Sequence, residues 1–225
     1  MRATRFGARP RHPPPSWPRC SCTWSGKAAH GRHVTSDKDG AGRDVLSYLP
    51  GHVPAKWQTF RDDQLRAAAE LLRALHRATE GSALAPLGVV CHHDPGPNNF
   101  VFRDGVPVAL IDFDTAAAGS DLEDLGYMAW AWCLSSNPLR GPISAQARRV
   151  RTLADGYGAS ERQRALLPAA ILERLERHVQ LWSNHLEHPG DILTAAEKLP
   201  ELVAWSKRKL QYIQAHQAEL VLAME

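Results

Sequence analysis

The sequence predicts an α+β protein, mainly helical and gathered around one small β-hairpin, on three observations. Residues 89–114, VVCHHDPGPNNFVFRDGVPVALIDFD, set two short apolar runs on either side of Asp104-Gly105, a dipeptide suited to a two-residue hairpin turn. Residues 62–79 repeat apolar side chains every three or four positions, the period of a helix with one buried face. Beyond residue 119 the chain carries helix starts and stops and no further strand pattern.

With 225 residues and 44% hydrophobic content, the chain is long enough to bury a sizeable core in one large domain or two small ones. No apolar run approaches the roughly 20 residues that span a bilayer. Neither a signal-peptide core nor an amphipathic anchor is evident, so no membrane partner is expected. Cys20, Cys22, Cys91 and Cys133 show no disulfide framework, which points to a reduced, cytoplasmic setting. The net charge of +3 hides an asymmetry: Arg2, Arg5, Arg9, Arg11, Arg19, Lys27 and Arg32 fall within residues 1–36, which have no acid. Past that segment 20 basic residues face all 24 acidic ones, so the basic pI is no argument for a nucleic-acid partner, and none is expected.

Taken in order, residues 1–36 hold five prolines between Pro10 and Pro18 and no apolar periodicity, the composition of a disordered tail. Pro13-Pro14-Pro15 bars the amphipathic helix of a transit peptide. Phosphate contact with stacking by Trp17 and Trp24, or recognition as a Pro-rich ligand, stays open beside a functionless tail or an artefact of gene start. Val45 to Pro50 reads as a short strand. The helix over 62–79 buries Leu65, Ala68, Ala69, Leu72 and Leu75 or His76, with Asp62 and Asp63 at its start and Gly81 past its stop. Val89-Val90 is a short buried strand, and Pro95-Gly96-Pro97 forces a loop carrying His92 and Asp94. Strand character resumes at Asn99, and Val106 to Ile111 run back. A helix follows Gly119 with Asp124 near its start. Residues 143–157 form a basic helix. Ser160 to Gln163 is a capping box opening a long helical region that Pro168 should kink or restart. Pro189-Gly190 breaks the chain, and Pro200 opens a last helix through Leu220. Trp182 and Trp205 suit either core or the wall of a substrate pocket.

The hairpin brings its open ends together, so Asn99 and Asp112 are expected to be neighbours, with Asp94 hanging from the loop just before them. Two carboxylates and an amide suit a hard divalent cation of the magnesium type. Cys91 beside two histidines lacks the ligand pair of a zinc site and reads as a buried strand-end residue.

His92, Asp94 and Asn99 fit an H-x-D-x-x-x-x-N loop, and Ile111-Asp112-Phe113 follows at the place of a metal-binding aspartate. With Pro95-Gly96 between them, these residues resemble the aminoglycoside phosphotransferase and choline kinase family, which has a kinase-like fold. The resemblance implies a protein-kinase-like C-terminal lobe and phosphoryl transfer from ATP or GTP to a small-molecule hydroxyl. It implies Asp94 as the catalytic aspartate with His92 bracing the loop, and Asn99 and Asp112 as the magnesium ligands. Ser47, Tyr48 and Leu49 become the hinge against the adenine. Asp124-Leu125 matches an aspartate that holds the loop from beneath, although Ser120-Asp121 departs from the usual Gly-Asp-Pro. His76 resembles a family histidine and is read as structural. The implied division is a tail over 1–36, a remnant of the small lobe and hinge over 37–53, and a helical large lobe over 54–225. No strand lysine or Gly-rich loop is recognisable, since Lys27, Lys38 and Lys56 lie in Pro/Gly-rich or polar surroundings. The alternative is therefore a truncated, inactive remnant that binds a ligand or partner.

Overall fold

The structure, a computed structural model, describes residues 35–41, 44–46, 48–55, 58–188 and 196–225. The expected tail up to residue 34, the hinge position Ser47 and the Pro189-Gly190 break lie outside them. The chain is α+β and mainly helical, with three two-stranded antiparallel sheets. The first pairs β1 (Thr35–Lys38) with β2 (Asp44–Leu46). This pairing starts inside the expected tail boundary at 36, and β2 ends at Leu46 rather than running to Pro50. The chain then reaches the hairpin, where His52 and Phe102 exchange backbone bonds of 2.9 and 2.8 Å. Gly51, just before His52, has φ +148°, and a Cβ there would lie 2.4 Å from the Phe102 carbonyl oxygen, so only glycine fits.

Helix α1 (Asp62–Thr79) forms as its period requires and buries Leu65, Ala68, Ala69, Leu72 and His76. Its start is closed by Gln64, whose Oε1 accepts from the Arg61 amide at 2.9 Å. Helix α3 (Ile143–Tyr157) crosses it so closely that a Cβ on Gly156 would meet Arg66 Cα at 2.6 Å.

β3 (Val89–Cys91) pairs with β6 (Ala117–Gly119), a strand the sequence did not announce because its three residues are Ala-Ala-Gly. β4 (Phe100–Arg103) and β5 (Val106–Leu110) form the expected hairpin. Asp104 and Gly105 both take positive φ, +52° and +76°, the geometry of the tight turn that matches strand twist. Asn99 sits in a 3-10 turn, Pro97–Asn99, rather than at the start of β4.

Trp132 on α2 (Asp121–Cys133) is the core's largest fully buried side chain, with Phe60, Phe100 and Phe102 at ring distances of 4.6, 4.9 and 6.3 Å. α2 rests on α4 (Glu161–Glu187), which opens on the expected Ser160 capping box. Pro168 neither ends nor restarts α4; it is buried within one continuous helix, because packing through Leu167, Ile171 and Leu175 outweighs the single backbone bond it forgoes. Leu166, beside the buried Leu167, is exposed. The last expected helix is two, α5 (Leu199–Ala215) and α6 (Gln217–Met224), divided at His216. Among the described residues no helix is long and apolar enough to cross a membrane.

Candidate active site

The loop between β3 and β4 is held from below by one side chain. Asp124 is fully buried in the first turn of α2, where the helix dipole favours a carboxylate. Its Oδ2 accepts from the His92 amide at 2.6 Å and its Oδ1 from the His93 amide at 2.7 Å. Oδ2 also meets His76 Nε2 at 3.0 Å, and His76 Nδ1 meets the Tyr157 hydroxyl at 2.7 Å. Burial alone would raise the Asp124 pKa, but the bond and charge of His76 and the two loop amides together hold it below the usual range. His76 is thus structural, as expected, yet tied to an aspartate that no local motif connects to it.

His92 is buried and committed to the loop. Its Nε2 donates to the Ile111 carbonyl at 2.9 Å, its Nδ1 accepts from the Asp94 amide at 3.3 Å, and its ring packs on Phe113. The ring therefore ties the loop to the end of β5. Asn99 closes the loop on the other side: Nδ2 donates to the Asp94 carbonyl at 2.7 Å and to Asp94 Oδ2 at 3.0 Å. The Ile111 amide donates to the Asn99 carbonyl at 3.0 Å, so Asn99 and Asp112 stand side by side at the hairpin's open end.

Asp112 is exposed and, like His93, takes a left-handed backbone, with φ of +66° and +63°. Non-glycine residues rarely do so, and such outliers concentrate at functional sites. Partial burial raises the Asp112 pKa, the like charges of Asp114 and Asp94 raise it further, and the His92 charge and a backbone hydrogen bond from Asp114 only partly oppose them. Asp94, Asn99 and Asp112 are thus brought to one place, and two of them repel. A donor set of carboxylates and an amide, strained by its own negative charge, fits a hard divalent cation.

Tyr48 and Leu49, the described part of the expected hinge, follow β2, with Tyr48 85% exposed. Among the described residues no hydrogen bond or ring contact joins them to Asp94, Asn99 or Asp112.

Sequence reasoning missed four residues here. Tyr127 donates its hydroxyl to Asp94 Oδ1, and burial with the Asp94 charge pushes its pKa up, so it stays a donor. Arg174 stacks over the Tyr127 ring at 4.5 Å. Thr115 donates to the His92 carbonyl at 2.9 Å, and Trp132 Nε1 to the Pro95 carbonyl at 2.9 Å. Tyr127 had a signal: it lies three residues after Asp124, on the same face of α2.

His76, Cys91 and Asp124 also bring three ligand-type atoms within 4.8 Å of one another. The Cys91 thiol is driven away from ionisation by burial and by Asp124, Glu123 and Asp121, and it donates to the Ser120 carbonyl at 3.1 Å. Both His76 nitrogens and both Asp124 oxygens already have partners. This is a hydrogen-bonded brace that does not fit a metal, in keeping with the sequence reading of Cys91.

Residues 82–167, which contain the loop, the hairpin and α2, match the phosphotransferase enzyme family, and the expected resemblance holds at that level. Among individual proteins, the chain is 28% identical over 215 residues to the trifolitoxin immunity protein of Rhizobium leguminosarum bv. trifolii. That alignment covers 83% of this chain and 78% of the relative.

Proposed function

We propose that this protein is an ATP- or GTP-dependent O-phosphotransferase of kinase-like fold. It would pass the γ-phosphoryl group to a hydroxyl of a small metabolite or aminoglycoside-like acceptor. The observation that carries the reading is the convergence of Asp94, Asn99 and Asp112 at the hairpin's open end, with the carboxylates of Asp94 and Asp112 in mutual repulsion. Asn99 and Asp112 would hold magnesium, which supplies charge neutralisation at the nucleotide phosphates when bound. Asp94, fixed on one oxygen by Tyr127 and on the other by Asn99, orients the acceptor hydroxyl and takes its proton. The acceptor oxygen bonds to the γ-phosphorus while the bridging oxygen leaves with the nucleoside diphosphate. His92 braces the loop. Residues 54–225 would form the large lobe, residues 37–53 a small-lobe remnant with Ser47, Tyr48 and Leu49 against the base, and residues 1–36 a tail. The buried free thiols of Cys91 and Cys133 support a cytoplasmic setting, where the nucleotide is available.

Turnover of magnesium-ATP with a panel of hydroxylated acceptors tests this. Asp94→Asn should abolish transfer and leave nucleotide binding nearly intact, whereas Asp112→Asn should weaken both. Full activity in Asp94→Asn would end the reading. A second reading comes from the name of the Rhizobium relative: this chain too would confer immunity to a toxic molecule, by phosphorylating it or, as an inactive remnant, by holding it at the same site. Binding of a toxin without turnover would favour the remnant.

A further inference from the structure

Gly126 lets α2 and α4 cross at backbone distance: a Cβ there would lie 2.9 Å from both the carbonyl carbon and the carbonyl oxygen of Ala170. Arg174 follows Ala170 by one helical turn, and the crossing sets it against Tyr127, the residue after Gly126. Its guanidinium carbon lies 4.5 Å from the centre of the Tyr127 ring, and the group also donates to the Tyr127 hydroxyl oxygen. Its Nη2 donates to the His93 carbonyl at 3.4 Å. Tyr127 in turn donates to Asp94 Oδ1. One side chain of α4 thus reaches the catalytic loop by two routes, through the phenol to the Asp94 carboxylate and directly to the backbone just before it.

Arg177, three positions on, takes the ordinary partners of a surface arginine, Glu123 and Glu173. Arg174 is directed instead at a phenol and a carbonyl, groups that gain from a cation without neutralising it. His93 is left-handed, with φ +63°, and both of its backbone groups are held by charged side chains: the amide by the Asp124 carboxylate at 2.7 Å, the carbonyl by Arg174. Such a conformation persists only where its surroundings over-determine it. At Tyr127 the charges also divide. Burial and the Asp94 charge keep the phenol protonated, while Arg174 pulls the other way. A phenol polarised by a cation and barred from ionising is a stronger donor, and the oxygen that receives it is Asp94 Oδ1.

We propose that Arg174 is a positioning residue for the transfer reaction: acting through the Tyr127 hydroxyl and the His93 carbonyl, it fixes the Asp94 rotamer that meets the acceptor hydroxyl. This rests on the phosphotransferase reading and extends it to a helix that supplies none of the reacting groups. Without the Arg174 charge, Tyr127 keeps Trp130 beside it at a ring distance of 5.3 Å, so its packing remains. What is lost is the polarisation of the phenol and a donor to the strained His93 backbone, both of which bear on where Asp94 points.

The full chain, isotopically labelled at the tyrosine ζ carbon, has four tyrosines to resolve by magnetic resonance, and Tyr127→Phe identifies the signal of the phenol on Asp94. Arg174→Gln should move that signal, Arg174→Lys should return it part of the way, and Arg177→Gln should leave it in place. Phosphotransfer from magnesium-ATP is then measured with whichever of kanamycin, choline, homoserine and glycerol is turned over fastest. Arg174→Gln should lower kcat about ten- to hundredfold, the scale of a misplaced catalytic group, with the KM for magnesium-ATP unchanged. Arg174→Lys should recover part of that loss, and Arg177→Gln should match the parent. In a Tyr127→Phe background Arg174→Gln should lower kcat by a smaller factor than it does alone, because the two residues share one route to Asp94. Losses that simply multiply would overturn the proposal, as would an unmoved signal or an unchanged kcat in Arg174→Gln. If that variant raises only the KM for magnesium-ATP, Arg174 serves the nucleotide phosphates and the proposal falls. A parent that neither phosphorylates any of these acceptors nor hydrolyses magnesium-ATP removes the phosphotransferase reading and the proposal together, whereas an active parent with indifferent Arg174 variants removes the proposal alone.

Discussion

Two aspartates, twelve positions apart, describe opposite conditions on the two sides of one loop. Below it, Asp124 is fully buried, yet every oxygen has donors and its pKa is held down. Above it, Asp112 is exposed, yet its neighbours Asp114 and Asp94 share its charge and its pKa is pushed up. Burial alone would give the reverse ranking. Partner placement decides it: the underside is finished without a ligand, whereas the rim keeps negative charge that a cation would relieve.

The largest break in this contrast comes from Asp124→Ala. It strands two loop amides and His76 in the core, and breaking such a buried network costs about 3–5 kcal/mol. Urea denaturation at neutral pH should read that loss. The sign with pH follows from the depressed folded pKa of Asp124. Its contribution is whole above the ordinary aspartate range and is lost as pH falls through the folded value, so parent and variant should converge in acid.

Tyr157→Phe is the next smaller test, because it removes the hydroxyl that meets His76 Nδ1 and leaves that buried nitrogen unpartnered. A loss of about 1–3 kcal/mol is expected by the same measurement. Ser120→Ala removes the cap of α2. Ser120 Oγ accepts from the Leu122 amide, and Glu123 Oε1 accepts from the Ser120 amide at 3.0 Å. About 1 kcal/mol should be lost, with slower-exchanging amides of the first α2 turn becoming less protected.

Asp112→Asn should act in the opposite direction and least. Without added magnesium the variant's melting temperature should rise slightly at neutral pH, because one of three like charges is gone. With its folded pKa raised, the parent carries that penalty above the pKa and sheds it as pH falls, so the gap should close in acid. Magnesium should stabilise the parent more than the variant. A variant that melts lower in metal-free buffer would mean that Asp112 is held by its surroundings as firmly as Asp124, and the contrast between rim and underside would fail.

Much of the frame was legible because it rests on local chemistry. The period of residues 62–79, the Asp104-Gly105 turn and the Ser160 box each act within a few residues, and each element formed as written. The juxtaposition of Asn99 with Asp112 was legible for the same reason, since a tight turn aligns its own ends. Three things were not. β6 is Ala-Ala-Gly and has no strand signal of its own; it exists because β3 offers it an edge. Pro168 stays inside α4 because tertiary packing outweighs a single missing backbone bond. The bracing of the loop by His76, Tyr157 and Tyr127 joins segments 30 to 80 residues apart in the chain. The sequence by itself determined which short segments bend, pair or coil. Only the tertiary structure decided which charges are answered and which are left open, because charge compensation depends on distance in space and not on separation along the chain.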